Sequence, residues 1–146
     1  MIANRGALAI LTVAAMWLAV ACSGDGSKST EVNVVSAITT LDNAGLHAID
    51  ESINETHEVP ADARTKALRM EAVTRLADWP EEFEDPADEL AITFRELAAV
   101  LDSDSPDPAR AGELAKRAHD EQHDLSGDIW AWLQEEAGME VATGSE

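Results

Sequence analysis

The stretch Asp85-Pro86-Ala87-Asp88-Glu89-Leu90-Ala91-Ile92-Thr93-Phe94-Arg95-Glu96-Leu97-Ala98-Ala99-Val100-Leu101 decides the fold class. Leu90, Phe94, Leu97 and Leu101 recur at spacings of four, three and four residues, which lines them up along one stripe of an α-helix. Asp is a capping residue type and Pro suits the first helical position, so the helix is expected to open at Asp85-Pro86. The polar string Asp102-Ser103-Asp104-Ser105-Pro106 closes it.

The same signals repeat outward from there. Downstream, Asp107-Pro108 opens a second helix, whose stripe is Ala111, Leu114, Ala118, Leu125, Ile129 and Trp132. It runs to about Gly138, a residue type favoured just past a helix end, and Ser126-Gly127 is expected to bend or break it. Upstream, the chain between Pro60 and Pro80 predicts a helix from about Ala61 to Trp79. Its apolar face is expected to be Leu68, Ala72, Val73 and Leu76, with Arg64, Glu71, Arg75 and Asp78 opposite. A first helix, from about Val34 to Glu55, turns Val34, Val35, Ile38, Leu41, Leu46, Ile49 and Ile53 inward. His47, Asp50, Glu51 and Asn54 fall on its outer side. No segment alternates like a strand. Four amphipathic helices joined by short loops predict an all-α, antiparallel up-down-up-down four-helix bundle over residues 34–138, followed by a disordered tail at 139–146.

The chain before the bundle has a different character. Arg5 precedes an apolar run from Ala7 to Ala21, about 15 residues, where a membrane-spanning helix needs about 20. Leu18-Ala19-Val20-Ala21-Cys22 follows, then the polar string Ser23-Gly24-Asp25-Gly26-Ser27-Lys28-Ser29-Thr30. A charged start, a short apolar core, small residues and a cysteine together resemble a bacterial lipoprotein signal. Many such signals carry Leu where this chain has Ala19, with Leu18 one place further back. The resemblance implies a signal peptide over 1–21, lipidation (palmitate and its kin) at Cys22, and a flexible tether over 22–33. It places the mature domain in the cell envelope, facing the periplasm or the exterior, attached to the membrane through its N-terminal lipid. Cys22 is also the single cysteine, so lipidation would leave no free thiol in an oxidising compartment.

Charge narrows the partners. The formal net charge is −19, and removing residues 1–21, which hold Arg5 and no acid, makes it −20. Such a surface repels phosphates, so no nucleic acid partner is expected. It also repels anionic headgroups, leaving the lipid as the membrane contact and an envelope protein as the macromolecular partner. There is no Gly-rich phosphate loop and no Gly-x-Ser-x-Gly, so a non-enzymatic, partner-binding or envelope-organising role is expected. No motif demands a cofactor, and there is no Cys-x-x-Cys-His for covalent haem.

The alternative is a metal-binding bundle. His119 and His123 are i,i+4, which puts both imidazoles on one helix face, and Asp120 and Asp124 adjoin them. This set suits Zn or Cu. His47-x3-Glu51 and His119-x3-His123 are partly similar to the iron motifs of hemerythrins. Hemerythrins spread five histidines over the bundle, whereas this chain has four, with His57 in a loop. Loop midpoints near residues 58, 83 and 105 set a register that puts His47 and His119 ~9 Å apart along the bundle, too far for one centre. The same register brings Asp42 within an arginine's reach of Arg69, which leaves two expectations open: a buried pair that fixes the bundle register, or Arg69 snorkelling to the surface. Trp132 is expected to plug one end, while Trp130 points elsewhere.

Overall fold

The computed structural model describes residues 26–138, with side chains from residue 33 onward. The expected signal peptide, Cys22 and the tail at 139–146 lie outside the described residues. The fold is all-α. Its helices are α1 (Gly26–Asp42), α2 (Leu46–Asn54), α3 (Ala63–Leu76), α4 (Glu81–Leu101) and α5 (Pro108–Glu136). Four helical columns pack together, the first being split into α1 and α2. α4 lies against both α3 and α5, α5 also carries α2 and α1, and α1 touches α3. Among the described residues no helix is long and apolar enough to cross a membrane.

α4 supplies the centre of the core. Leu90, Phe94 and Leu97 are fully buried and Leu101 nearly so, as their spacing requires. The helix starts earlier than expected, at Glu81 rather than Asp85. Pro80 precedes it, Glu81, Glu82 and Glu84 complement the positive end of the helix dipole, and buried Phe83 anchors the added turn. Phe83 meets Trp132 edge-on, with ring centroids 6.1 Å apart. Pro86 is therefore inside the helix and not at its first position. It lies on the exposed side, so the Glu82 carbonyl that loses an N–H partner there can be hydrated.

α5 opens as expected. The Asp107 carboxylate accepts from the backbone N–H groups of Ala109 and Arg110 at 3.0 and 3.3 Å, with Pro108 at the helix start. The helix runs unbroken through Gly127, whose space is open, and ends at Glu136 with Gly138 in the left-handed region.

The face that α3 buries departs from expectation. Ala63, Ala67, Met70 and Thr74 are buried, whereas Leu68 and Ala72 are exposed, Val73 is half-buried and Leu76 is 82% exposed. Small side chains let α3 approach α4 closely, and local hydrogen bonds hold that rotation. The Trp79 indole donates to the Thr74 carbonyl at 2.7 Å, and the Thr74 hydroxyl donates to the Met70 carbonyl at 2.9 Å. Buried Trp79 thus folds back over the end of α3, which stops at Leu76 rather than reaching Trp79.

The first column also differs from a single helix over 34–55. α1 begins at Gly26, so residues 26–33, expected in the tether, are helical. The column then breaks at Asn43–Gly45, where Gly45 has φ +73° and precedes α2. A side chain there costs backbone strain, not space, since an added Cβ would meet only Lys66 Nζ at 3.8 Å. Gly45→Ala is therefore expected to lower stability by about 1–2 kcal/mol, the ordinary left-handed penalty. Urea unfolding would report it, and an unchanged midpoint would refute the strain argument.

Candidate functional site

The break at Gly45 sets α2 against α5, and the polar side expected to face solvent becomes an interface. A series of hydrogen bonds climbs it. Asn54 Nδ2 donates to the Gly112 carbonyl at 3.0 Å and to Asp50 Oδ1 at 2.6 Å. Asp50 Oδ2 lies 3.0 Å from His119 Nδ1. Above them, the Asp42 carboxylate at the end of α1 accepts from Gln122 Nε2 and Ser126 Oγ, each at 2.7 Å, and from the Trp130 indole at 3.1 Å. An added Cβ at Gly112 would lie 2.2 Å from the Asn54 Oδ1, so a side chain there would displace the Asn54 amide from its hydrogen bonds.

These contacts frame a cleft of about 320 Å³ lined by Asp42, Gly45, Leu46, His47, His119, Gln122, His123, Ser126 and Trp130. Three imidazoles gather there. The rings of His47 and His119 are 5.1 Å apart by centroid, and those of His119 and His123 are 4.7 Å apart. His47 and His123 are exposed, while the His119 side chain is only 15% exposed. Its Nε2 is buried and, among the described residues, has no hydrogen-bond partner. In the tautomer that donates from Nδ1 to the Asp50 carboxylate, His119 keeps a lone pair on Nε2.

The expected site is thus brought together in part. His119 and His123 share a face, as i,i+4 spacing dictates. Asp120 does not join them: it is exposed and pairs with Lys116 at 2.5 Å, and this hydrogen bond and charge raise the lysine pKa above its ordinary value. Asp124 is also exposed, one residue round the helix from His123. The register expectation for His47 fails, since its ring lies beside that of His119, tilted by 52°. Asp50 was expected on the outer, solvent-facing side, and the Gly45 break that turns it inward is the signal that would have revealed it. Among the described residues no group of three or more His, Cys, Asp or Glu side chains already stands converged as for a metal ion.

The expected Asp42–Arg69 pair does not form. Asp42 is held by three donors of α5, and Arg69 is exposed on α3, where it borders the grooves against α1. Rotation of α3 onto its alanine face carries Arg69 outward, which is the physical reason. Asp42 fixes the register nonetheless, through neutral donors instead of a buried cation. Trp130, half out in solvent, has its indole N–H on Asp42, and Trp132 is half-buried against Phe83.

No family model, no curated protein and no solved structure matches this chain.

Proposed function

We propose that the chain is a lipid-tethered helical bundle of the cell envelope that binds a ligand without transforming it, and that the α2–α5 cleft is its binding face. The bundle is read as up-down-up-down. In support, pairs between columns run in opposite residue order: Asp42 with Ser126 and Asn54 with Gly112, Arg64 with Asp102, Phe83 with Trp132 and Glu96 with Arg110. The lipid attachment at Cys22, the extracytoplasmic location and an envelope protein as macromolecular partner rest on the signal-like sequence around Leu18–Cys22.

One observation carries the binding reading: a buried imidazole nitrogen with no partner among the described residues lies at the cleft, on a ring adjoined by two exposed imidazoles. Buried polar atoms are nearly always partnered, and an orphan beside a polar concavity points to an occupant. The neighbouring carboxylates favour binding over catalysis, because Asp50 and Asp42 are both committed to fixed hydrogen bonds.

Both halves of the reading are tested in one preparation. Cys22→Ser is expected to move the protein from the membrane fraction to the soluble fraction, and retention in the membrane would remove the lipid tether. Modification of His47 and His123 by diethyl pyrocarbonate is expected to be slow in native envelopes and fast after purification and dialysis. Equal rates in both would remove the occupied cleft.

A further inference from the structure

We propose that the α2–α5 cleft takes one divalent late transition ion, Zn²⁺ or Cu²⁺, on the imidazoles of His47, His119 and His123, with Asp50 as the residue that positions His119. This deepens the binding reading above and rests on it. His119 is the fixed member. Its Nδ1 is tied to Asp50 at 3.0 Å, and Asp50 is itself tied to Asn54, so the ring is held in the tautomer that leaves Nε2 as the donor. A carboxylate behind an imidazole also raises its basicity as a ligand. The ring centroids of His47 and His123 lie 5.1 and 4.7 Å from that of His119 and both side chains are exposed, so the site requires each to turn toward Nε2 by a change of rotamer, which costs no core packing.

Donor chemistry selects the ion. Imidazole nitrogen suits Zn²⁺ and Cu²⁺, while Mg²⁺ and Ca²⁺ take oxygen ligands. Three of the nearby carboxylates are committed elsewhere: Asp42 accepts from three donors, Asp50 faces His119 and Asn54, and Asp120 faces Lys116. Three histidines with the remaining position open to water make a familiar zinc arrangement. A formal charge of −19 over the whole chain draws cations toward the surface without supplying the selectivity.

The test uses the untagged full chain in detergent, titrated calorimetrically with ZnCl₂ or CuCl₂ alone, and with MgCl₂ as the contrast. One saturable equivalent is expected for Zn²⁺ or Cu²⁺ and none for Mg²⁺. Asp50→Asn is expected to weaken binding roughly 10–100-fold while shifting the His119 ring ¹⁵N signature, which a purely structural role would leave in place. His47→Ala, His119→Ala and His123→Ala should each weaken it more than Asp50→Asn does. Asp120→Asn and Asp124→Asn should bind as the parent. Since His47 and His123 are exposed, their removal leaves the thermal melt of the metal-free protein unchanged. Absence of a saturable equivalent, or parental binding by His47→Ala, overturns the proposal.

A chelator separates this failure from that of the cleft reading. If EDTA abolishes the protection of His47 and His123 in envelopes, the occupant is the metal. If protection persists in EDTA, the cleft is occupied by something else and the metal assignment falls alone.

Discussion

Phe94→Ala is expected to lower the free energy of unfolding by about 3–5 kcal/mol, the cost of deleting a buried aromatic ring and leaving its cavity. Phe94 is 0% exposed and sits on α4, the column that packs against both α3 and α5. Whatever closes around the void must move one of those helices, and both are held elsewhere by the Trp79–Thr74 bond and the Asp107 cap. The loss is a large part of the roughly 5–15 kcal/mol that keeps a domain of this kind folded. Phe94→Leu keeps most of the volume and should cost less. Denaturant unfolding followed by tryptophan emission measures both, and an Ala variant within about 1 kcal/mol of the parent would show that α4 is not the centre of the core.

Asp42→Ala is expected to cost about 2–3 kcal/mol, even though Asp42 is largely exposed, because hydrogen bonds to a charged group are worth more than neutral ones. Its loss strands two buried donors, Gln122 at 5% exposure and Ser126 at 7%. Trp130 is accessible enough to find water and adds little. Relief of repulsion in so acidic a chain works the other way, but a surface charge removed from water-screened neighbours is worth a fraction of a kcal/mol. Asp42→Asn keeps one carbonyl oxygen for Gln122 and Ser126 and turns an amide toward the Trp130 N–H, so it should recover most of the loss. A double-mutant cycle with Ser126→Ala isolates the pair. A coupling indistinguishable from zero would mean that the Asp42 cluster does not fix the register of α1 on α5.

The four helical columns were legible in the sequence, though not the split of the first into α1 and α2, because periodic apolar residues, Asp107-Pro108 and the loop prolines act locally. Leu90, Phe94, Leu97 and Leu101 are buried as their spacing requires. Hydropathy misleads where a tertiary contact outweighs it. On α3 the leucines looked inward by their chemistry, yet close approach to α4 and the Trp79 indole select Ala63, Ala67, Met70 and Thr74. On the first column Asn43-Ala44-Gly45 ends α1, yet the apolar stripe continues across it from Leu41 to Leu46 and masks the stop. The site was half legible for the same reason. His119 and His123 pair by spacing within one helix, but His47 and Asp50 reach them only across an interface. A register drawn from loop midpoints carries an error of one or two turns, about 5–10 Å, which is the whole difference between a solvated histidine and a neighbour of His119.

The nine residues of α2 are too few to persist as a helix by themselves. Left-handed residues stand outside both ends, Gly45 before it and His57 after, so the segment is jointed on either side. It keeps its shape only while docked on α5, and undocking would carry away His47, Asp50 and Asn54 together. One wall of the cleft can therefore breathe as a unit while the α3–α4–α5 slab stands still. An occupant that bridges both walls would quench that breathing, making the rigidity of a single short helix the natural gauge of occupancy.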